Sequence, residues 1–243
     1  VFLCGLFPAV LMASLAISRP GSLARLDHSV YDALVRSART RPPSSRVVIV
    51  DVDEASLATV GQWPWPRDVM GHLVANLRRH GATIVALDII FAETDRFGRV
   101  NDRQPTPMTP DDLLARTLRE GRVILGYGLT FERVPRSQNR CALHPVGLVV
   151  HHPREETGET PYFQATGAIC NLPVLAEAAG ASGFLNAAPD ADGILRRVPL
   201  LAELGGRVYP GLAVAAIAST TGARNLGLQI SNVNAATLSI GSQ

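Results

Sequence analysis

The chain reads as an α/β protein, a mixed central sheet flanked by helices and preceded by an N-terminal transmembrane helix. Three observations predict this. Two short, unbroken, β-branched runs, Val47-Val48-Ile49-Val50 and Ile84-Val85-Ala86-Leu87, have the composition of strands covered on both faces. Apolar residues at helical spacing lie between them, which makes a βαβ crossover. Residues 1–18, VFLCGLFPAVLMASLAIS, contain no charge.

Eighteen helical residues span roughly 27 Å, close to the thickness of a hydrocarbon core. Residues 1–19 are therefore assigned to a membrane helix and 20–243 to a domain outside the cytoplasm, with the chain read as cut short at both ends. A cleaved signal peptide ending at Ser14-Leu15-Ala16 and a buried core helix are the alternatives. Arg19, Arg25, Arg36, Arg39 and Arg41 follow the apolar run, a bias that favours the cytoplasmic side. Large domains, however, translocate largely regardless of such charges.

Leu23, Leu26, Val30, Leu34, Val35 and Ala38 then recur at helical spacing, ending before Pro42-Pro43. A strand is expected over 47–51. Asp53 can cap a short helix that ends at Gly61. Pro66 opens a helix with Val69, Leu73 and Leu77 on one face, Gly81 closes it, and a strand follows over 83–90. Residues 95–109 are polar and proline-rich, hence a loop. Thr109-Pro110-Asp111-Asp112 starts a helix with a cap, a proline and two first-turn acids, and Gly121 ends it. A third strand is expected over 123–131, and a largely irregular stretch over 132–165. Asn171 and Pro173 begin a short helix that stops at Gly180. Residues 183–187 and 194–204 read as strands around a turn at 189–193. Gly205-Gly206 turns the chain again, Tyr209-Pro210 leads into an Ala-rich helix ending near Gly222, and 226–231 with 236–241 resemble a hairpin. There is no internal repeat or heptad pattern.

The 243 residues, 47% hydrophobic, suffice for one large domain or two small ones. Lysine is absent, and 23 arginines supply every fixed positive charge, for a net charge of +2. They are scattered singly and do not alternate with aromatics, which argues against a nucleic-acid partner. Cys4 lies in the apolar run. Cys141 and Cys170 are candidates for a disulfide in an oxidising compartment, the alternative being two unpaired buried thiols.

Asp51, Asp53, Asp88, Glu93 and Asp95 fall at the carboxyl ends of the first two expected strands, where open α/β sheets place their ligands. Gathered there, they would suit a small ligand or a hard divalent cation, Mg²⁺ or Ca²⁺. Otherwise they cap helices or pair with Arg67 and Arg96. Trp63 and Trp65, in Gly61-Gln62-Trp63-Pro64-Trp65-Pro66-Arg67, either wall a sensory pocket or form a rigid lid on the core. Arg67 is placed to tie this loop to Asp51 or Asp88. Arg196, beside Arg197, meets an anionic ligand or the acids, or lies on a solvated strand face.

Asp51-x-Asp53 also fits the opening of haloacid-dehalogenase-type phosphatases, in which the first Asp is the nucleophile, the second the acid/base, and Mg²⁺ completes the site. Ala55 stands where that pattern needs Thr or Val, and the lysine for the phosphoryl group is missing. Asp190-Ala191-Asp192-Gly193 resembles the start of a calcium loop, but Leu201 occupies the position of the bidentate Glu, so a tight turn is the better reading. His144, His151 and His152 lack regularly spaced acids or cysteines to complete a metal site. No Ser/His/Asp arrangement, P-loop or dinucleotide glycine pattern is present.

Several segments occur in an order that resembles a known family. They are Leu26-Asp27-His28-Ser29-Val30-Tyr31-Asp32, VVIVDVDEASLATVGQWPWPR, ALDIIFAETD, GFLNAAPDADGILRRVPLL and RVYPGLAVAA. Together they resemble the second type of CHASE domain, the extracellular sensory domain of membrane-bound cyclases and histidine kinases, over roughly 26–220. The resemblance implies a periplasmic or extracellular sensor of an undefined small ligand or stimulus, followed by further membrane helices. It implies a cytoplasmic output domain, a class III nucleotide cyclase, histidine kinase, Ser/Thr kinase or diguanylate cyclase, and a homodimer. The expected function is signal sensing in a membrane receptor, with no cofactor beyond the candidate divalent cation. The rivals are a membrane-anchored Mg-dependent phosphohydrolase using Asp51 and Asp53, and a scaffold that only assembles a receptor.

Overall fold

A computed structural model of the chain describes residues 21–38, 42, 44–96, 108–132, 141–151, 163–187, 189–222, 225–232 and 235–240. The chain divides into two compact units, Val1–Asp53 and Glu54–Gln243. The expected membrane segment, 1–18, lies outside the described residues; among those described, no helix is long and apolar enough to cross a membrane.

The first unit contains the helix α1, Gly21–Ser37, where the spacing of Leu23, Leu26, Val30 and Leu34 predicts one. None of its residues is buried. The strand expected over 47–51 does not form. Val47, Val48, Ile49 and Val50 are 71, 80, 88 and 52% exposed. A strand needs a partner for its backbone groups, and the regular structure described in this unit is a single helix. The βαβ crossover expected from 47 to 90 is therefore absent.

The second unit is α/β. Its central strand is β2, Val123–Thr130, whose Val123, Leu125 and Tyr127 are fully buried. Two parallel strands flank its first half: β1, Val85–Leu87, pairs Val85 with Val123, and β6, Ala181–Phe184, pairs Tyr127 with Phe184. The short strand β5, Gly167–Ile169, runs antiparallel along its second half, Gly128 opposite Ile169. A parallel crossover does occur, one step later than expected: β1 leads through α4, Pro110–Arg119, into β2.

The helices follow local signals. The turn Glu54–Val60 forms α2 and stops at Gly61, whose φ of 118° is open to glycine. The helix α3, Arg67–Arg79, starts behind Pro66. Its inward face is Arg67, Met70, Gly71 and Val74, while Val69, Leu73 and Leu77 are half-buried flanks, a rotation of about one residue from the expected face. Gly71 faces α4, whose Leu114 and Leu118 are fully buried. The start of α4 is a reciprocal cap. Thr109 Oγ1 accepts from Asp112 N, and Asp112 Oδ2 accepts from Thr109 N, both at 3.1 Å.

Two further three-stranded sheets complete the unit. One joins β3, Gly147–His151, in parallel to β9, Asn225–Asn232, which forms the expected hairpin with β10, Ala235–Ile240. The other joins β4, Phe163–Ala165, in parallel to β7, Leu201–Leu204, which turns at Gly205-Gly206 into β8, Arg207–Pro210. Thus β3 and β4 lie in the stretch expected to be irregular. The strand expected over 194–204 shortens to β7, leaving Ile194, Leu195 and Val198 about half exposed.

The short helix α5 is Pro173–Ala178, and α6, Leu212–Thr221, ends at Gly222 in the left-handed conformation. The start of α6 presses on β6 so closely that a Cβ on Gly183 would lie 2.5 Å from Leu212 Cα and 2.7 Å from Leu212 N. Backbone cannot yield as a flexible side chain can. Gly183→Ala is expected to lower unfolding stability by about 1–3 kcal/mol. A urea midpoint equal to that of the parent would show that β6 and α6 are not in this contact.

Candidate functional site

The carboxyl end of β1 runs into Asp88-Ile89-Ile90-Phe91-Ala92-Glu93-Thr94-Asp95, and this stretch wraps around a buried guanidinium. Arg67, 8% exposed, sits at the start of α3. Its Nε donates to Asp111 Oδ1 at 2.9 Å and its Nη2 to the Glu93 carbonyl at 2.7 Å. Its backbone N–H donates to Asp95 Oδ2 at 2.8 Å. The Asp95 N–H in turn donates to Asp111 Oδ2 at 3.1 Å, so one carboxylate serves both. The guanidinium carbon lies over the Phe91 ring, 4.5 Å from its centroid.

Phe91 is also held through its backbone by Asn171. The Asn171 Oδ1 accepts from Phe91 N at 2.7 Å, and its Nδ2 donates to the Gly126 carbonyl at 2.8 Å. Leu172 N donates to the Phe91 carbonyl at 2.8 Å. A single amide thereby fastens the segment after β1 to the middle of β2. Sequence reasoning reads Asn171 and Asp111 only as helix-start residues. The two adjacent acids of α4 divide the work: Asp112 closes the cap, and Asp111, 5% exposed, faces Arg67. The proline and the pair of acids signal the cap but not which acid turns inward.

The tryptophan loop sits immediately before this knot. Trp65 is buried and donates its indole N–H to the Gly61 carbonyl at 2.8 Å. Trp63 is 42% exposed and leans on Trp65 with ring centroids 5.8 Å apart. Trp65 thus acts as a lid on the core, and Trp63 offers an accessible indole face.

The other expected site residues disperse. Asp88 is exposed and takes no part in the Arg67 network; Glu93 enters through its carbonyl, while its carboxylate pairs with Arg96 at 2.7 Å on the surface. Arg67 meets Asp111 rather than Asp51 or Asp88 as expected. Asp51 and Asp53 belong to the first unit, where both are exposed. Arg196 does not lie on a solvated strand. Its side chain is 6% exposed and reaches Asp190 at 3.0 Å and Asp192 at 2.8 Å, so the calcium-like loop is clamped by a guanidinium. Cys141 and Cys170 form a disulfide with Cα atoms 5.6 Å apart.

Two buried polar groups complete the inventory. The Tyr127 hydroxyl has no hydrogen-bond partner among the described residues, and it packs with Leu129, Phe184, Ala202 and Tyr209. Burial, reinforced by Tyr209, pushes its pKa up, so the phenol stays protonated. Ser182 Oγ accepts from His144 N at 3.0 Å and lies 3.1 Å from His144 Nδ1. A hydroxyl that accepts the amide proton is free to donate to Nδ1, which calls for the neutral imidazole with its proton on Nε2. Burial lowers the His144 pKa in the same direction. His151 and His152 lie where no side chain is described.

The family model of the CHASE2 domain matches residues 9–240, nearly the whole chain. No curated protein and no solved structure matches it.

Removing one member of a buried ion pair strands the other. Arg67→Met is expected to cost about 3–5 kcal/mol of unfolding stability, and Arg67→Met with Asp111→Leu to return much of that loss. Equal stability of parent and Arg67→Met in urea would mean the pair is not buried. For His144, the folded protein resists a proton that the unfolded chain accepts near 6.5. Stability from this site is present above that pH and is lost as pH falls below it. His144→Gln is expected to flatten the decline of the denaturation midpoint between pH 7 and 5, about one decade either side of the ordinary imidazole pKa. An unchanged pH profile would contradict this assignment.

Proposed function

Since the chain belongs to the CHASE2 domain family, a family of extracellular sensory domains, we propose that it is the sensing region of a membrane-bound receptor that controls a cytoplasmic class III nucleotide cyclase. The observation that carries this reading is the match over residues 9–240, which takes in both units rather than one motif. The uncharged run at 1–18 supports an anchor in the membrane, with the domain on the outer side and two copies per receptor.

Sensing requires a ligand or stimulus that favours one of two conformations. The tryptophan loop and the knot behind it suit that role. A small ligand stacking on exposed Trp63 acts on a loop continuous with Arg67, and Arg67 bonds the segment after β1 and the start of α4 together. The anchored phosphohydrolase is the weaker reading. Its two acids are exposed, and the chain contains no lysine to hold a phosphoryl group.

The test is the reading frame beyond Gln243 together with the activity of the full-length protein in membranes. Further apolar spans followed by a cyclase signature, with cyclic nucleotide formation altered by Trp63→Ala, are the expected result. A stop codon without another span, or phosphoester turnover with Mg²⁺ abolished by Asp51→Asn, would overturn the proposal.

A further inference from the structure

The hairpin of β7 and β8 turns at Gly205-Gly206, both at positive φ, 59 and 77°. Its residue pairs alternate. Gly211 N donates to the Leu200 carbonyl at 2.8 Å, which makes these two a hydrogen-bonded pair. Ala202 with Tyr209, and Leu204 with Arg207, follow at every second step. Glu203 and Val208 fall between them, so Val208 turns both its backbone groups away from β7. Its carbonyl accepts from Val146 N at 3.1 Å. Its N–H donates to no backbone group among the described residues.

On that outer side lies a cleft of about 380 Å³. One wall is Pro145, Val146 and Gly147, the entry to β3; the other is Gly206, Arg207 and Val208. Arg207 is exposed and is the one charged residue that lines the cleft. Across the hairpin it is paired with Leu204, so no carboxylate neutralises it there, and its guanidinium makes no ion pair among the described residues. Both walls are held from behind. Val146 and Val208 pack on the core of Leu201, Val214, Ala218 and Leu226, and Cys141, shortly before Pro145, is tied down by its disulfide. The cleft is thus formed before any ligand arrives.

A guanidinium fork beside an unengaged N–H, in a cleft of ligand size, matches a planar anion. We propose that this cleft binds a small carboxylate, its oxygens shared between the Arg207 guanidinium and the Val208 N–H. One cation suits a group of one charge. A phosphate group carries more charge and a third oxygen, for which the lining offers no second cation. Pro145 and the two valines suit a short apolar body behind the carboxylate. A ligand held there touches the sheet of β3 and the sheet of β7 and β8 together, and so favours the arrangement in which the two are joined. None of these residues belongs to the tryptophan loop or to the Arg67 network, and the inference stands without the receptor reading.

Butyrate is the probe, titrated into the full chain in zwitterionic detergent and followed by amide proton–nitrogen correlation spectra. The Val208 and Gly206 amide resonances are expected to shift and to saturate at millimolar butyrate, with neutral butyramide weaker by at least about ten-fold. Arg207→Gln is expected to weaken butyrate by a similar factor, with Arg207→Lys, which keeps the charge and loses the fork, between it and the parent. Arg119→Gln, at an exposed arginine of α4, is expected to leave binding unchanged. The remaining resonances of each variant report whether its fold is that of the parent. Absent or unsaturable shifts at these two amides, equal binding of butyramide, undiminished binding by Arg207→Gln, or displacement of butyrate by inorganic phosphate at lower concentration would overturn the carboxylate site.

Discussion

A charged side chain is costly to bury unless it is paired and hydrogen-bonded. Arg67 meets that demand with acceptors from two different segments, the Glu93 carbonyl after β1 and the Asp111 carboxylate in α4. Because its backbone also binds Asp95 and its guanidinium covers Phe91, one residue fixes how α3, α4 and the end of β1 meet. The tryptophan loop enters this arrangement from the preceding residues, so its position follows from the same knot. Asn171 performs the neutral counterpart, locking Phe91 to β2 with both ends of its amide.

Much of the second unit is legible in the sequence, because its signals are local. A Thr-Pro-Asp-Asp start, a glycine at a helix end and a Gly-Gly turn each act through one or two residues, and α4, α6 and the β7–β8 hairpin follow them. The strands β4 and β5 are three residues each, too short for an alternation to register. The 47–51 run shows the opposite failure. Its β-branched residues announce a buried strand, but pairing is a property of a neighbour, and hydrophobicity alone does not supply one.

The candidate site shows the same division. The sequence singles out Trp65, Arg67, Glu93 and Asp95, and the structure brings all four around one corner of the unit. It does not single out Asp111, which is 44 residues away in the chain and looks like any first-turn acid. Acids at strand ends were natural candidates for a cation. Glu93 and Asp95 instead meet arginine and backbone N–H groups, which compete for the same lone pairs.

The disulfide joins Cys141 and Cys170, 29 residues apart in the chain, and the span between them contains β3, β4 and β5. These strands belong to three different sheets. Closing a loop of that length restricts the unfolded chain by about 3–4 kcal/mol in the chain-entropy account. A single covalent link thus limits the search for three separate sets of pairings at once. It does so only where thiols are oxidised. The chain therefore carries an address in its energetics: folded on the oxidising side of a membrane it has this margin, and retained on the reducing side it must assemble its sheets without it.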